Sequence, residues 1–189
     1  MQQVLFIQGA GSAGAHEEDR ALADSLSEHL GGNYRVRYPL MPNEAEPDFV
    51  AWRQTIEAEM AEMGAPAFLV GHSIGASVLA RIFSSDNPIA RTCRGLFLAS
   101  APFWHDDAFW RWDECALPQD ASSHFPAGLP VHLYHGEDDP FVPFAHMALY
   151  GAMLPQAVQH PLAGRDHQLN EDFSEIARDI AWIEAAGRS

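Results

Sequence analysis

Residues 67–83 read AFLVGHSIGASVLARIF, and this segment is the strongest indication of the fold class. Its first four residues are all apolar, as in a strand buried at the centre of a parallel sheet. The apolar side chains from Val78 to Phe83 recur at helical spacing. Between the two segments, residues 71–75 form a G-x-S-x-G pattern, which predicts a sharp turn from strand to helix with Ser73 exposed on it.

The two glycines of this pattern suit such a turn for a steric reason. A serine on a tight strand-to-helix turn has a strained backbone, and Gly71 and Gly75 let neighbouring chain approach without a clashing Cβ. The helix that follows also directs its N-terminus toward any negative charge that develops at the turn. The pattern therefore indicates Ser73 as a candidate nucleophile.

Short apolar runs alternate with amphipathic segments along the rest of the chain. Strands are expected at residues 4–7, 34–38, 67–70, 96–99 and 131–134, with a weak one around Val158. Helices are expected with apolar faces at Leu22–Leu30, Phe49–Met63, Val78–Phe83, Phe144–Tyr150 and Phe173–Ile183. This alternation predicts right-handed βαβ units. We predict one domain over residues 1–189, a three-layer α/β/α sandwich with a mainly parallel sheet of about six strands.

An aromatic insert at about 101–129 interrupts this alternation. It holds several large rings and is broken by two prolines: Phe103, Trp104, Phe109, Trp110, Trp112 and Phe125, with Pro118 and Pro126. The rings either form a partial lid or apolar pocket near the site, or pack against the core. On the first interpretation, Phe103 and Trp104 are pocket residues.

The composition excludes several classes of function. The formal net charge is −15, and all eleven basic residues are arginines. A protein that neutralises nucleic-acid phosphates needs a basic surface, so no nucleic-acid partner is expected. The absence of lysine excludes a pyridoxal-phosphate Schiff base and a Walker-type phosphate loop. No apolar stretch is long enough for a membrane span or a secretory signal, so we predict a cytoplasmic protein without a membrane partner. In a reducing compartment Cys93 and Cys115 are expected to be free thiols.

Two aspartates and one histidine are candidates for the partners of Ser73. In folds with this turn the acid and then the histidine follow the serine in the chain. Asp138 and Asp139 directly follow the strand at 131–134, and only one of them can face a histidine because adjacent side chains point in different directions. His167 lies between the last strand and the last helix, where the base is expected. His160 competes with it but is expected in or beside a strand.

Acid–base chemistry gives each of these residues a role. A serine hydroxyl is a weak nucleophile until a neighbouring imidazole accepts its proton. Histidine can do so near neutral pH because its ordinary pKa is about 6.5, and activity is expected to fall below about that pH. The aspartate would hold the imidazole in the correct tautomer. His72 is a poor candidate base because side chains adjacent on the turn diverge.

The glycine-rich loop at residues 9–14 allows two interpretations. Its sequence, GAGSAG, satisfies the G-x-G-x-x-G pattern of dinucleotide-binding proteins. Such a site also needs an acidic residue after the second strand, and this strand ends Val36-Arg37-Tyr38-Pro39 without one, while Glu28 falls inside a helix. Nucleotide binding is therefore the weaker interpretation.

On the other interpretation, the same loop supplies part of an oxyanion hole. The backbone N–H of Ile74, directly after the candidate nucleophile, would be one donor, and that of Ala10 the other, with Gly11 as the alternative. Gly11 and His16 would also line the substrate pocket.

With these features in place, the chain resembles the α/β-hydrolase superfamily over essentially its whole length. The resemblance is carried by G-H-S-I-G at 71–75, H-G-E-D-D-P-F-V-P at 135–143 and the late His167. Its shortness makes it similar to the small single-domain serine hydrolases, including the retinoblastoma-binding-protein-like group. The chain differs from dienelactone hydrolases, which use cysteine at the position of Ser73, and it has Gln8-Gly9 where the oxyanion loop commonly begins H-G.

The resemblance implies a function and selects the acid. The pattern H-G-x-x-D-x-x-V-P points to Asp139 rather than Asp138. It implies a serine hydrolase of carboxylesterase type that needs no metal and no cofactor. A small-molecule carboxylic ester, thioester or activated amide would react through an acyl-enzyme intermediate. A non-enzymatic interaction domain on the same fold is the alternative, because fold alone does not establish function.

Overall fold

A computed structural model describes residues 1–105 and 109–187 of the protein. Residues 106–108 of the predicted aromatic insert and residues 188–189 of the predicted domain lie outside the described residues. Six strands form one sheet in the order β2-β1-β3-β4-β5-β6, and every neighbouring pair is parallel. The strands are β1 (Gln2–Ile7), β2 (Tyr34–Arg37), β3 (Ala67–His72), β4 (Cys93–Ala99), β5 (Val131–Gly136) and β6 (Val158–Leu162).

Helices connect the strands. The α-helices are α1 (Ala15–Glu18), α2 (Arg20–Leu30), α3 (Phe49–Met63), α4 (Ile74–Phe83), α5 (Ala145–Met153) and α6 (Ser174–Ala186). Short 3₁₀ helices lie at Pro88–Arg91, Ala121–His124 and Leu169–Glu171. The longest helix, α3, begins where the Asp48 side chain accepts a hydrogen bond from the Ala51 N–H at 2.7 Å, and it ends at Gly64 with φ 60°.

The two faces of the sheet are covered by different helices. Because side chains alternate along a strand, Val4 and Phe6 of β1 face one side of the sheet, and Leu5 and Ile7 face the other. The first side packs against α2 and α6, and the second packs against α3, α4 and α5. The predicted three-layer α/β/α sandwich with a mainly parallel six-stranded sheet is therefore confirmed, and each of the sheet's strands is parallel to its neighbours.

Element boundaries differ from the sequence-based expectations by a few residues. The helix expected at 144–150 is α5 at Ala145–Met153, and the weak strand around Val158 is the edge strand β6. Among its described residues, the aromatic insert contains no strand and no α-helix, only the 3₁₀ turn at Ala121–His124. None of the helices in the described ranges combines the length and the hydropathy needed to cross a bilayer.

The order of the strands determines where a site forms. The chain runs from β1 outward to β2 and then returns to β3 on the opposite side of β1. Loops leaving the carboxyl ends of β1 and β3 therefore diverge to opposite faces of the sheet. A crevice forms at such a switch point, and ligands of open α/β sheets bind there.

Candidate active site

Ser73 lies at the turn between β3 and α4 in a strained backbone conformation. Its φ is 50°, in the left-handed region that non-glycine residues rarely occupy. The flanking glycines explain how the turn fits: a Cβ on Gly71 would lie 2.7 Å from the backbone of Ala76, and one on Gly75 would lie 2.3 Å from the carbonyl oxygen of Gln8. Ser73 itself is only 7 % exposed, so it lies on the turn but not on the open surface that the pattern predicts. The sequence pattern thus corresponds to a turn that only these glycines allow.

His167 connects Ser73 to an aspartate. Its Nε2 is 3.1 Å from Ser73 Oγ, and its Nδ1 is 2.8 Å from Asp139 Oδ2. The loop that carries it, between β6 and the 3₁₀ turn at Leu169–Glu171, is fixed through the His167 carbonyl oxygen. That oxygen accepts hydrogen bonds from His72 Nε2 and from Ser100 Oγ, each at 2.9 Å. The structure therefore brings together the three residues that the sequence analysis selected.

The Asp139 side chain is completely buried and has hydrogen bonds to both of its oxygens. Oδ1 accepts from the backbone N–H groups of Phe141 and Val142 at 2.8 and 2.9 Å, and His135 Nε2 lies 3.2 Å from Oδ2. Burial alone would raise the pKa of Asp139, but the hydrogen bonds from His135 and His167 outweigh it and hold the pKa well below its ordinary value. Asp139 is therefore ionised at neutral pH. Asp138, the alternative, is exposed to solvent.

The environment of His167 favours its neutral form. Burial lowers the pKa of His167, and the positive charge of the nearby His72 lowers it further, although the hydrogen bond to Asp139 acts in the opposite direction. The net shift is downward from the ordinary histidine value. A neutral imidazole with Nδ1–H donating to Asp139 presents Nε2 to Ser73 as a proton acceptor.

A second aspartate–histidine pair, Asp19 and His72, contacts the loop that carries His167, and the sequence patterns do not predict it. His72 Nδ1 is 2.8 Å from Asp19 Oδ2, and its Nε2 faces the His167 carbonyl oxygen, which can only accept. Asp19 also accepts from the Gly9 N–H at 2.7 Å and from Gln168 Nε2 at 3.0 Å. Because both ring nitrogens of His72 face acceptors, the ring is an imidazolium paired with the Asp19 carboxylate.

The electrostatics of this pair agree with its geometry. Burial alone would lower the pKa of His72, but Asp19 outweighs it and raises the pKa. Burial likewise works against the ionised form of Asp19, whose pKa His72 nevertheless lowers. The pair joins the loop after β1, the turn at Ser73 and the loop of His167. Asp19 lies at the junction of α1 and α2, where no motif marks it, so only the folded structure reveals the pairing.

The backbone donors near Ser73 differ in their availability. The Gly9 N–H is bonded to Asp19, and the Gly11 N–H donates to the Glu44 carbonyl oxygen at 2.8 Å. Within residues 1–105 and 109–187, the N–H groups of Ala10 and Ile74 donate to no protein acceptor. Gly11, the alternative to Ala10 as oxyanion donor, is thus already engaged.

The glycine-rich loop is occupied in a way that opposes nucleotide binding. The Glu44 carboxylate accepts from the backbone N–H groups of Gly14 and His16 at 2.6 and 2.8 Å. These are the N–H groups at the start of a helix that a pyrophosphate would need. A phosphate at this position would meet a carboxylate already bound there, so the dinucleotide interpretation has no support in the loop's geometry.

A cavity of about 370 Å³ opens onto Ser73 and His167. Its wall includes Trp104 and Gly11, as the sequence analysis expected, together with Trp110 and Phe141, which it did not select. The other two predicted pocket residues, His16 and Phe103, are not among the residues that line this cavity.

His16 and Phe103 each pack on a different ring. His16 stacks on Tyr38 with ring centroids 4.2 Å apart, and Phe103 packs edge-to-face on Tyr150 at 5.0 Å. The aromatic insert accordingly has two roles. Trp104 and Trp110 line the cavity, whereas Phe125 is buried in the core beside Phe83.

The sequence and this geometry define the class of protein. The Serine hydrolase family matches residues 22–167, which is most of the chain, and the protein belongs to this family. It is therefore a hydrolase with the α/β-hydrolase fold. Comparison with curated proteins gives no match to this sequence.

Solved structures share the fold at low sequence identity. A complex of the meta-cleavage product hydrolase CumD from Pseudomonas fluorescens IP01 with acetate has a TM-score of 0.74 and 16% identity, covering 99% of this chain and 92% of that one. Est1E from Butyrivibrio proteoclasticus has a TM-score of 0.71 and 14% identity, covering 98% and 88%. The CarC serine hydrolase involved in carbazole degradation has a TM-score of 0.70 and 13% identity, covering 98% and 92%. Such identities establish the fold alone.

Proposed function

We propose that the protein hydrolyses small-molecule carboxylic esters through an acyl-enzyme formed on Ser73. One observation carries this proposal: Asp139, His167 and Ser73 form a continuous hydrogen-bonded series with donor–acceptor distances of 2.8 and 3.1 Å, and Ser73 and His167 line a cavity. Thioesters and activated amides share the same tetrahedral intermediate and belong to the same proposal.

The geometry supports a two-step mechanism. His167 Nε2 takes the proton of Ser73 Oγ as the oxygen attacks the substrate's carbonyl carbon, and the carbonyl oxygen becomes an anion. The free N–H groups of Ala10 and Ile74 stabilise that anion. The intermediate collapses as His167 returns the proton to the leaving alcohol, which leaves an ester on Ser73.

Water then hydrolyses the ester on Ser73 through the same kind of proton transfers. His167 removes a proton from the water as it attacks the acyl carbon, and the proton then passes to Ser73 Oγ as the acid leaves. Asp139 remains ionised throughout and stabilises the imidazolium formed in each step. Neither step needs a metal or a cofactor, as the family resemblance implies.

The cavity wall favours one class of ester. Trp104, Trp110 and Phe141 supply apolar surface, whereas Glu18 and the acidic surface of the protein repel anions. We therefore expect uncharged esters with an aromatic or short aliphatic acyl or alcohol group to be better substrates than esters bearing a carboxylate or phosphate. The same acidity supports the expectation that nucleic acid and anionic membranes are not partners.

A panel of 4-nitrophenyl and aryl esters tests the proposed activity. We expect turnover of acetyl to hexanoyl and benzoyl esters, with a rapid initial release of nitrophenol that equals the enzyme concentration wherever deacylation is the slower step. Succinyl monoesters should be poorer substrates than butyryl esters of similar size. An enzyme that is folded and pure yet releases nitrophenol no faster than buffer on every ester would contradict the proposal.

The pH dependence of kcat/KM reports the protonation of His167. Because the pKa of His167 lies below its ordinary value, the neutral base persists to lower pH, and activity is lost only as the pH falls through that lowered pKa. We expect the acid limb of the profile to have its midpoint below about pH 6.5. A midpoint above that value would be inconsistent with His167 as the base.

The charge of His72 should be visible in the same profile. Glutamine at position 72 can still donate to the His167 carbonyl oxygen but carries no charge. Because the imidazolium lowers the pKa of His167, the substitution His72→Gln should move the acid limb of kcat/KM to higher pH. His29→Gln, which changes an exposed histidine, should leave the limb unchanged. An unshifted limb in a folded His72→Gln enzyme would show that His72 is neutral.

A further inference from the structure

Three side chains that commonly bind metals converge between the edge of the sheet and α6, outside the Ser73 cavity. His132 belongs to β5, His160 to β6 and Asp179 to α6. In the β5–β6 pair Tyr134 lies opposite His160. His132 is two residues before Tyr134, so its side chain lies on the same face of the sheet. His132 precedes the carboxyl end of β5 by four residues, about 13 Å of strand. The cluster has no part in the proposed hydrolysis.

The separations of the three donor atoms fit a single metal ion. His132 Nδ1 and His160 Nε2 are 2.9 Å apart, and Asp179 Oδ2 is 4.0 and 3.8 Å from them respectively. The point equidistant from three atoms so placed is about 2.1 Å from each, within the range of about 2.0–2.2 Å for Zn–N and Zn–O bonds. At that point the ion would lie in the plane of the three atoms. Tetrahedral coordination with a fourth ligand therefore requires the hydrogen-bonded nitrogens of His132 and His160, 2.9 Å apart, to separate to roughly 3.4 Å.

Neighbouring groups hold the three side chains in place. His132 stacks on Phe97 with ring centroids 5.2 Å apart, and His160 stacks on Tyr134 at 4.4 Å. The Tyr134 hydroxyl donates to Asp179 Oδ2 at 2.7 Å, while Arg178 contacts the other carboxylate oxygen. Such outer contacts orient ligands in protein metal sites.

The cluster is partly open to water, and its histidines are suited to coordination. The exposed fractions of the His132, His160 and Asp179 side chains are 12%, 23% and 17%. Solvent can therefore supply a fourth ligand. Imidazole nitrogens and carboxylate oxygens are the ligand atoms that ions of the zinc class take in proteins.

We propose that His132, His160 and Asp179 bind a divalent transition metal ion of the zinc class, with water completing the coordination. Two imidazoles and one carboxylate suit Zn²⁺, Co²⁺ or Ni²⁺, whereas Mg²⁺ and Ca²⁺ prefer oxygen ligands. The ion joins the edge strand β6 and the helix α6 to β5. Its role is structural, and it is independent of the hydrolytic function.

Isothermal titration of chelator-treated protein with ZnCl₂ tests the site, followed by thermal unfolding with and without the ion. We expect one Zn²⁺ per chain and a rise in Tm of about 5–10 °C at a hundredfold excess over Kd. His160→Gln and Asp179→Asn should each weaken binding by at least about 100-fold. His124→Gln, a control at a histidine outside the cluster that lies near Asp120, should bind as the wild type does.

Each outcome of this experiment decides the proposal. Unfolding curves without metal establish which variants fold. If His160→Gln does not fold, Asp179→Asn provides the test. Failure of the wild type to bind one Zn²⁺ at micromolar concentration would overturn the proposal. Equal affinity in the wild type and in a folded cluster variant would also overturn it, because the ion would then occupy other residues. Neither result would affect the account of Ser73.

Discussion

Replacing Ser73 with alanine should lower kcat/KM by about 10⁵–10⁶-fold, the loss expected when a triad nucleophile is removed. The hydroxyl oxygen is the atom that forms the acyl ester, and no neighbouring group can substitute for it. The fold should be retained, because the change removes one atom from a side chain whose backbone conformation is set by the flanking glycines. The measurement is the rate of hydrolysis of the best ester from the panel at substrate concentrations well below KM, compared between the variant and the wild type.

The control for this variant is an exposed serine away from the cavity. Ser123→Ala alters a solvent-exposed residue in the 3₁₀ turn at Ala121–His124 and should retain wild-type activity. Thermal unfolding of Ser73→Ala should match that of the wild type within a few degrees. If Ser73→Ala retained more than about a tenth of wild-type activity, the nucleophile would have to be another residue.

Asp139→Asn should cost about 10⁴-fold in kcat, the effect of placing the base in the wrong tautomer. The Asp139 Oδ1 atom accepts from the N–H groups of Phe141 and Val142, so the carbonyl oxygen of asparagine would keep that position. Its NH₂ group would then face His167 Nδ1 and donate to it. His167 would carry its proton on Nε2 and could no longer accept one from Ser73.

The neighbouring aspartate provides a matched control for this prediction. Asp138→Asn makes the same chemical change one residue earlier, on a side chain that is exposed to solvent. It should change kcat by less than about twofold, since surface substitutions away from such networks have small effects. If Asp138→Asn were the damaging change and Asp139→Asn the neutral one, the assignment of the acid would be wrong.

Much of the fold could be predicted because each of its central elements has a local signal. The apolar run Ala67–Val70 and the glycines around Ser73 mark a buried strand and a turn without reference to the rest of the chain. The same local reasoning placed His167 in a loop before the last helix. The choice between Asp138 and Asp139 needed the family pattern, because adjacent residues in a turn carry the same local signal.

Features that depend on long-range contacts could not be predicted. Asp19 contacts His72 across 53 positions of sequence. His72 occupies a variable position of the G-x-S-x-G pattern and Asp19 lies in no motif, so neither residue indicates the pairing. Phe103 and Trp104 are adjacent aromatic residues, yet one packs on Tyr150 and the other lines the cavity. Hydrophobic character indicates that a ring will be buried but not which surface will cover it. The cytoplasmic location stays a prediction of the sequence.

Labelling with a fluorophosphonate, read by intact mass, tests whether Ser73 is an activated nucleophile. The reagent forms a stable phosphonyl ester only with a serine that a neighbouring base activates. We expect one adduct on the wild type, one on Ser123→Ala and none on Ser73→Ala. A folded wild type that gains no adduct, or a Ser73→Ala variant that gains the same adduct as the wild type, would contradict the assignment of Ser73 as the nucleophile of a serine hydrolase.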